Sequence, residues 1–221
     1  MAIVTHLTDA VTREPYYRTV DGRQWRRLVG AVTWPYDKAR RPGCVLILGE
    51  LRASPTVLGA ERHDVYCLDE YLHDDVTEIV RMVSDMTDDW RIPSWATPLR
   101  DERHYLLDDA NDNRRIMRLP KIRYADPPGY MGKGEGQIPY FFSLIQRRTR
   151  SEKSLYLGSD RMCASETLAL DESRDSNATV TAFPAFAALA FALAEIDLHP
   201  LREWGMRSNI HGGPANLVGG Y

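Results

Sequence analysis

Cysteine is scarce in this chain, three residues in 221, and Cys44, Cys67 and Cys163 lie far apart. An odd, scattered set makes neither a disulfide framework nor the paired spacing of a structural zinc site. Buried free thiols are expected instead, and with them a reducing compartment. Long hydrophobic runs are missing as well. The most apolar stretch, "AFPAFAALAFALA" from Ala182 to Ala194, has 13 residues, and crossing a bilayer takes about 20. It reads as a buried core helix, and no membrane contact is expected. The opening "MAIVTHLTDAVTREP" has no cationic start leading into an apolar run. No secretory signal is expected, and the expected location is the cytoplasm, a host cell's if the protein is viral. An excess of charge is also lacking: 28 Lys and Arg against 31 Asp and Glu give a net charge of −3. Bulk attraction to nucleic acid is thereby excluded, and any such binding has to use a local basic patch. The histidines show no H-E-x-x-H spacing. The stretch "GYMGKGEG" around Lys133 lacks the six-position spacing and the Ser or Thr of a phosphate-binding loop, so it reads as a flexible loop.

What is present is an ordinary globular composition, 43% hydrophobic and 27% charged, with length for one substantial core. Residues 1–24 are mixed and polar and read as an irregular arm. Three strand-like runs follow, "WRRLVGAVTWPY", "CVLILGELRA" and "DVYCLDEYL", with Gly and Pro in the loops between them. They predict an antiparallel meander. The period then changes: Val76, Ile79, Val80, Val83 and Met86 fall on one helical face, behind Asp74 and Asp75 at its N-terminus.

The stretch "HYLLDDANDNRR", residues 104–115, comes next. Its short apolar run ends in Asp108 and Asp109, as a buried strand does when it delivers an acid to its tip; a strand stopping at a polar turn gives the same pattern. Beyond it the sequence predicts a helix from about Gln137, a short strand in "SLYLG", a short helix in "CASETLAL" and a closing helix from about Pro184 to Leu198. The order β-β-β-α-β-α-β-α-α predicts an α/β fold with a five-stranded mixed sheet and helices on both faces, an order that ribonuclease H-like folds use. Residues 25–200 form the expected domain, and the glycine-rich residues 201–221 an irregular tail.

From about Arg26 to Leu198 the chain resembles the nuclease domain of viral terminase large subunits, which package DNA into phage capsids. The features that carry the likeness are the first hairpin, "YLLDDA" as the second acidic strand, "GQIPYFFSLIQRRTRSEKSLYLGSDRMCASETLAL" as helix, short strand and "E-L" helix, and the alanine-rich closing helix. The family's ATPase half is absent from these residues. The resemblance implies carboxylates converging from the first strand, the fourth strand and the last helix to hold two Mg²⁺ or Mn²⁺ ions that activate water and stabilise the leaving oxygen. Asp108 matches the fourth-strand acid. The first-strand position falls on Thr33 in "GAVTWP", and the last-helix position on Ala187 in "PAFAALAFAL". Two of the three acids are therefore a hydroxyl and a methyl.

Asp37, four residues beyond Thr33, is displaced by about 13 Å along a strand, and Glu195, eight beyond Ala187, by about 12 Å along a helix. Glu70, ending the third strand, is the best remaining companion for Asp108, and Glu50 a weaker one. Both Asp108 and Glu70 are thus candidate catalytic and metal-binding residues, able at most to hold one hydrated ion. Read as structure alone, Asp-Asp after a strand is a solvated turn or helix cap. Two basic runs, with Arg114, Arg115, Arg118 and Lys121 in one and Arg147, Arg148 and Arg150 in the other, are candidate phosphate contacts or solvated faces.

Three functions follow. One is a ribonuclease H-like protein with weakened or lost cleavage that binds DNA or serves with phage packaging proteins. Another is an active Mg²⁺- or Mn²⁺-dependent endonuclease with a non-standard carboxylate set. The third is a partner-binding module with no nucleic-acid role.

Overall fold

The structure is a computed structural model that describes residues 3–35, 41–52, 63–97, 104–125, 137–173 and 183–198. The N-terminal segment is not an irregular arm. Strands β1 (Val4–Thr8) and β2 (Pro15–Thr19) form an antiparallel hairpin. Asp9 shapes its turn by accepting from the N–H groups of Val11 and Thr12 at 2.8 Å, and Arg52 ties Asp9 to the next strands at 2.6 Å. Most of the hairpin's side chains are exposed or half-buried, so a polar composition suits it.

The predicted meander is present as β3 (Gln24–Thr33), β4 (Gly43–Leu51) and β5 (Val65–His73), antiparallel in sequence order. Strand β3 is ten residues long and serves two neighbours along one edge. Its first half pairs with β2 at Trp25, and its second half pairs in parallel with β6 (Trp95–Ala96) at Gly30 and Ala31. Gly30 is required by that junction, since a Cβ there would lie 2.4 Å from the Trp95 ring. Strand β7 (Tyr124–Ala125) runs parallel to β6, and β8 (Leu155–Tyr156) parallel to β5. Among the described residues the result is a mixed, mainly antiparallel, open sheet of eight strands rather than five.

Helices cover both faces, as predicted. Helix α1 (Val76–Trp90) starts where Asp75 accepts from the Thr77 N–H at 2.7 Å, and it buries Ile79, Val83, Met86 and Trp90 against one face of the sheet. Helix α3 (Gln137–Gln146), a π-helical turn (Arg147–Ser151), α4 (Met162–Ser173) and α5 (Pro184–Leu198) belong to the other. Helix α5 is apolar all round because it is enclosed all round: Ala185 to Ala194 are fully buried. No helix among the described residues is long and apolar enough to cross a membrane. The glycine-rich tail, residues 201–221, lies outside the described residues.

One expectation is overturned. "HYLLDDANDNRR" is not a strand but part of helix α2 (His104–Ile116), packed beside α1. A four-residue apolar run fits a strand or a helix, and the polar residues after it decide. Asn111 and Arg114, one helical turn apart, face inward. Arg114 forks onto Asp88 of α1 at 2.7 and 3.1 Å and reaches Ser84 Oγ at 2.7 Å. Arg114 and Arg115 in the last turn also complement the helix dipole. The strand that enters after α1 is Trp95–Ala96 instead, two residues inside "RIPSWATP" that are too few to carry any periodicity.

Candidate functional site

The C-terminal end of β3 meets the N-terminus of α5. Thr33 is buried there, and its Oγ1 donates to the Pro184 carbonyl at 3.1 Å while accepting from the Cys44 N–H at 3.1 Å. Ala187 lies in the first turn of α5, three residues past Pro184. Ala96 of β6, in register with Ala31, faces the same core. The first-strand position is therefore tied to the start of the helix that holds the last-helix position, and the two are a hydroxyl and a methyl. Asp37 lies outside the described residues.

Two carboxylates approach this end of the molecule from the side, and backbone N–H groups hold both. Glu70 on β5 accepts from the N–H groups of Met162 and Cys163 at 2.6 and 2.8 Å, and so closes the N-terminus of α4. Glu166, one turn into α4, accepts from the Phe186 N–H at 2.7 Å at the start of α5. Burial pushes the Glu166 carboxyl up to about 7, although the N–H groups of Phe186 and Ala185 pull it down; nearby Glu70 adds to the rise. Burial, followed by the charges of Glu70 and Glu166, pushes the Cys44 thiol well up. Cys44 and Cys163 are buried and Cys67 half-buried, and all three are free thiols.

Asp108 does not join them. It is exposed on α2, on the α1 side of the sheet, whereas the Glu70 carboxylate is on α4's side. Its charge acts on Tyr124, whose phenol is pushed up first by burial and further by the Asp108 charge. Asp108 and Glu70 are therefore not brought together. Glu50 is buried in an ion pair with Arg27 at 3.1 Å. The Oε2 of Glu195 is buried and has no hydrogen-bond partner among the described residues. Among the described residues no three His, Cys, Asp or Glu side chains converge on a point where a cation could sit. The donor set at Thr33, Ala96 and Ala187 does not fit a divalent metal, which wants anionic oxygens.

The basic runs divide sharply. Arg114 has 3% of its side chain exposed and is engaged in the α1–α2 contact. Arg148 bonds Asp197 of α5 and the His63 carbonyl, and Arg147 bonds Asp197 and Glu152. These three hold helices together. Arg115, Arg118, Lys121 and Arg150 are exposed.

Sequence reasoning missed Glu166 and Asn111. Nothing in "CASETLAL" distinguishes a glutamate that caps another helix. Asn111 was legible in principle, through its i, i+3 spacing to Arg114. No protein-family profile, curated protein or solved structure matches the chain.

Proposed function

We propose that the chain is a ribonuclease H-like domain that has lost the two-metal centre and binds nucleic acid without cutting it. One observation carries this reading. The Thr33 hydroxyl bonded to the Pro184 carbonyl joins the first meander strand to the closing helix, where the reading requires two acids to meet, and neither is an acid. The strand arrangement supports it. A three-stranded antiparallel meander, then two strands added parallel to its first member with helices between, is what a ribonuclease H-like order requires. The likeness to packaging-motor nucleases now rests on that order and on the closing helix, because "YLLDDA" is helical. A role beside phage packaging proteins is part of the same proposal.

The test is a Mg²⁺ or Mn²⁺ digest of supercoiled and linear DNA together with a binding titration. The expected result is no cutting by the wild type or by Asp108→Ala, and DNA binding that weakens steeply with salt. Cutting by the wild type, whether or not it survives Asp108→Ala, would overturn the loss of cleavage and favour the active endonuclease instead. Failure to bind any nucleic acid would leave the partner-binding module.

A further inference from the structure

Helix α2 ends in a knuckle that is both exposed and rigid. Arg118 is in the left-handed conformation with φ 59°; its N–H bonds the Arg115 carbonyl at 3.1 Å, and the Leu119 N–H bonds the Arg114 carbonyl at 2.8 Å. This pair of bonds is a Schellman closure, at whose left-handed position glycine is the usual residue. Both ends of the loop that follows are tied down. Arg114 Nε donates to the Pro120 carbonyl at 2.8 Å, and the Asn111 side chain accepts from the Ile122 N–H at 2.8 Å and donates to its carbonyl at 3.3 Å. Ile122 is buried. Between these anchors Ile116 is 75% exposed and Met117 70% exposed, with Leu119 also exposed. Arg115, Arg118, Lys121 and Arg123 surround them in water.

We propose that this knuckle is a preformed contact for single-stranded nucleic acid, with the cations on phosphates and Ile116 and Met117 against unstacked bases. The inference rests on the nucleic-acid reading above and adds where the strand is held and which form is preferred. Cations alone suit any phosphate backbone. Two apolar tips gain nothing from a duplex whose base faces are already stacked, but they gain from a strand whose base faces are open to water. The anchors mean that little conformational freedom is lost on contact. The helix's negative pole disfavours phosphate on its own, and the exposed cations Arg115, Arg118, Lys121 and Arg123 offset it.

The experiment uses the whole chain and fluorescence anisotropy with labelled oligothymidylate, with the same strand paired to oligoadenylate, and with vesicles of phosphatidylserine and phosphatidylcholine. Tighter binding of the single strand is expected. Ile116→Ser with Met117→Ser should weaken it about ten-fold, leave duplex binding unchanged and leave the melting temperature within a degree or so of wild type. Arg115→Gln with Lys121→Gln and Arg123→Gln should weaken both forms and flatten the salt dependence. Equal affinity for both forms, or no change in the serine variant while the glutamine variant loses binding, overturns the inference and leaves the wider reading standing. Binding to neither oligonucleotide overturns both. Vesicle binding that needs Ile116 and Met117, without oligonucleotide binding, also overturns both and assigns the knuckle to lipid.

Discussion

Glu166 shows how one side chain links the pH response of the molecule to its architecture. Its carboxyl closes the start of α5 from α4, in a half-buried place where the charged form is poorly solvated. The folded protein therefore binds this proton more tightly than the unfolded chain does, with a value of about 7 against an ordinary 4.5. The sign follows from proton counting: between those values the native state holds more protons, so stability falls as pH rises. The contribution is fully present below about 4.5 and lost as pH passes through about 7. Denaturant midpoints measured across this window should decline for the wild type. Glu166→Gln keeps an oxygen for the Phe186 N–H and removes the titration, so its midpoints should be flatter there. A decline of equal slope in both proteins would assign the effect to another group.

At the scale of elements, the helix C-terminus of α2 makes a prediction about stability that is separate from binding. A left-handed conformation costs an L-residue roughly 1–2 kcal/mol, and glycine escapes most of that cost. Arg118→Gly should therefore raise stability by about 0.5–1 kcal/mol, read as a higher denaturant midpoint with an unchanged slope. A lower midpoint would mean that the arginine side chain stabilises the cap. The elements also show what the sequence made legible. The meander follows from apolar, β-former-rich runs with Gly and Pro in the loops between them, α1 from its helical apolar period, and α5 from an apolar run ending before Pro200. The strand β6 and the helical state of residues 104–116 were not legible, because two residues have no period and four apolar residues have two readings. That single ambiguity displaced the candidate acid Asp108 to the opposite side of the sheet. Thr33 and Ala187, by contrast, were paired by the sequence reading, and a hydrogen bond in the fold links Thr33 to the start of the helix that holds Ala187.

At the scale of the whole molecule, the sheet divides two cores, and β4 is buried against both. The end of β3 where Thr33 meets α5 belongs to the core on the α5 face, not to a wet cleft, since Thr33, Ala96 and residues 185–194 are all buried. Placing an acid at both positions should therefore unfold the protein rather than create a metal centre. An Asp at position 33 has no proton to offer the Pro184 carbonyl, and an Asp at 187 enters a core lined by methyl groups. Each unpaired buried carboxylate costs several kcal/mol, against a total stability of roughly 5–15 kcal/mol. Thr33→Asp with Ala187→Asp is expected to melt far below the wild type or to fail to accumulate, with or without Mn²⁺. Thr33→Val, which keeps the volume and loses only the two hydrogen bonds, should cost about 1–3 kcal/mol and stay folded. A double-aspartate variant that folds and gains several degrees of melting temperature with Mn²⁺, while the wild type does not, would mean that this end of the sheet opens to water and still has the shape of a metal site.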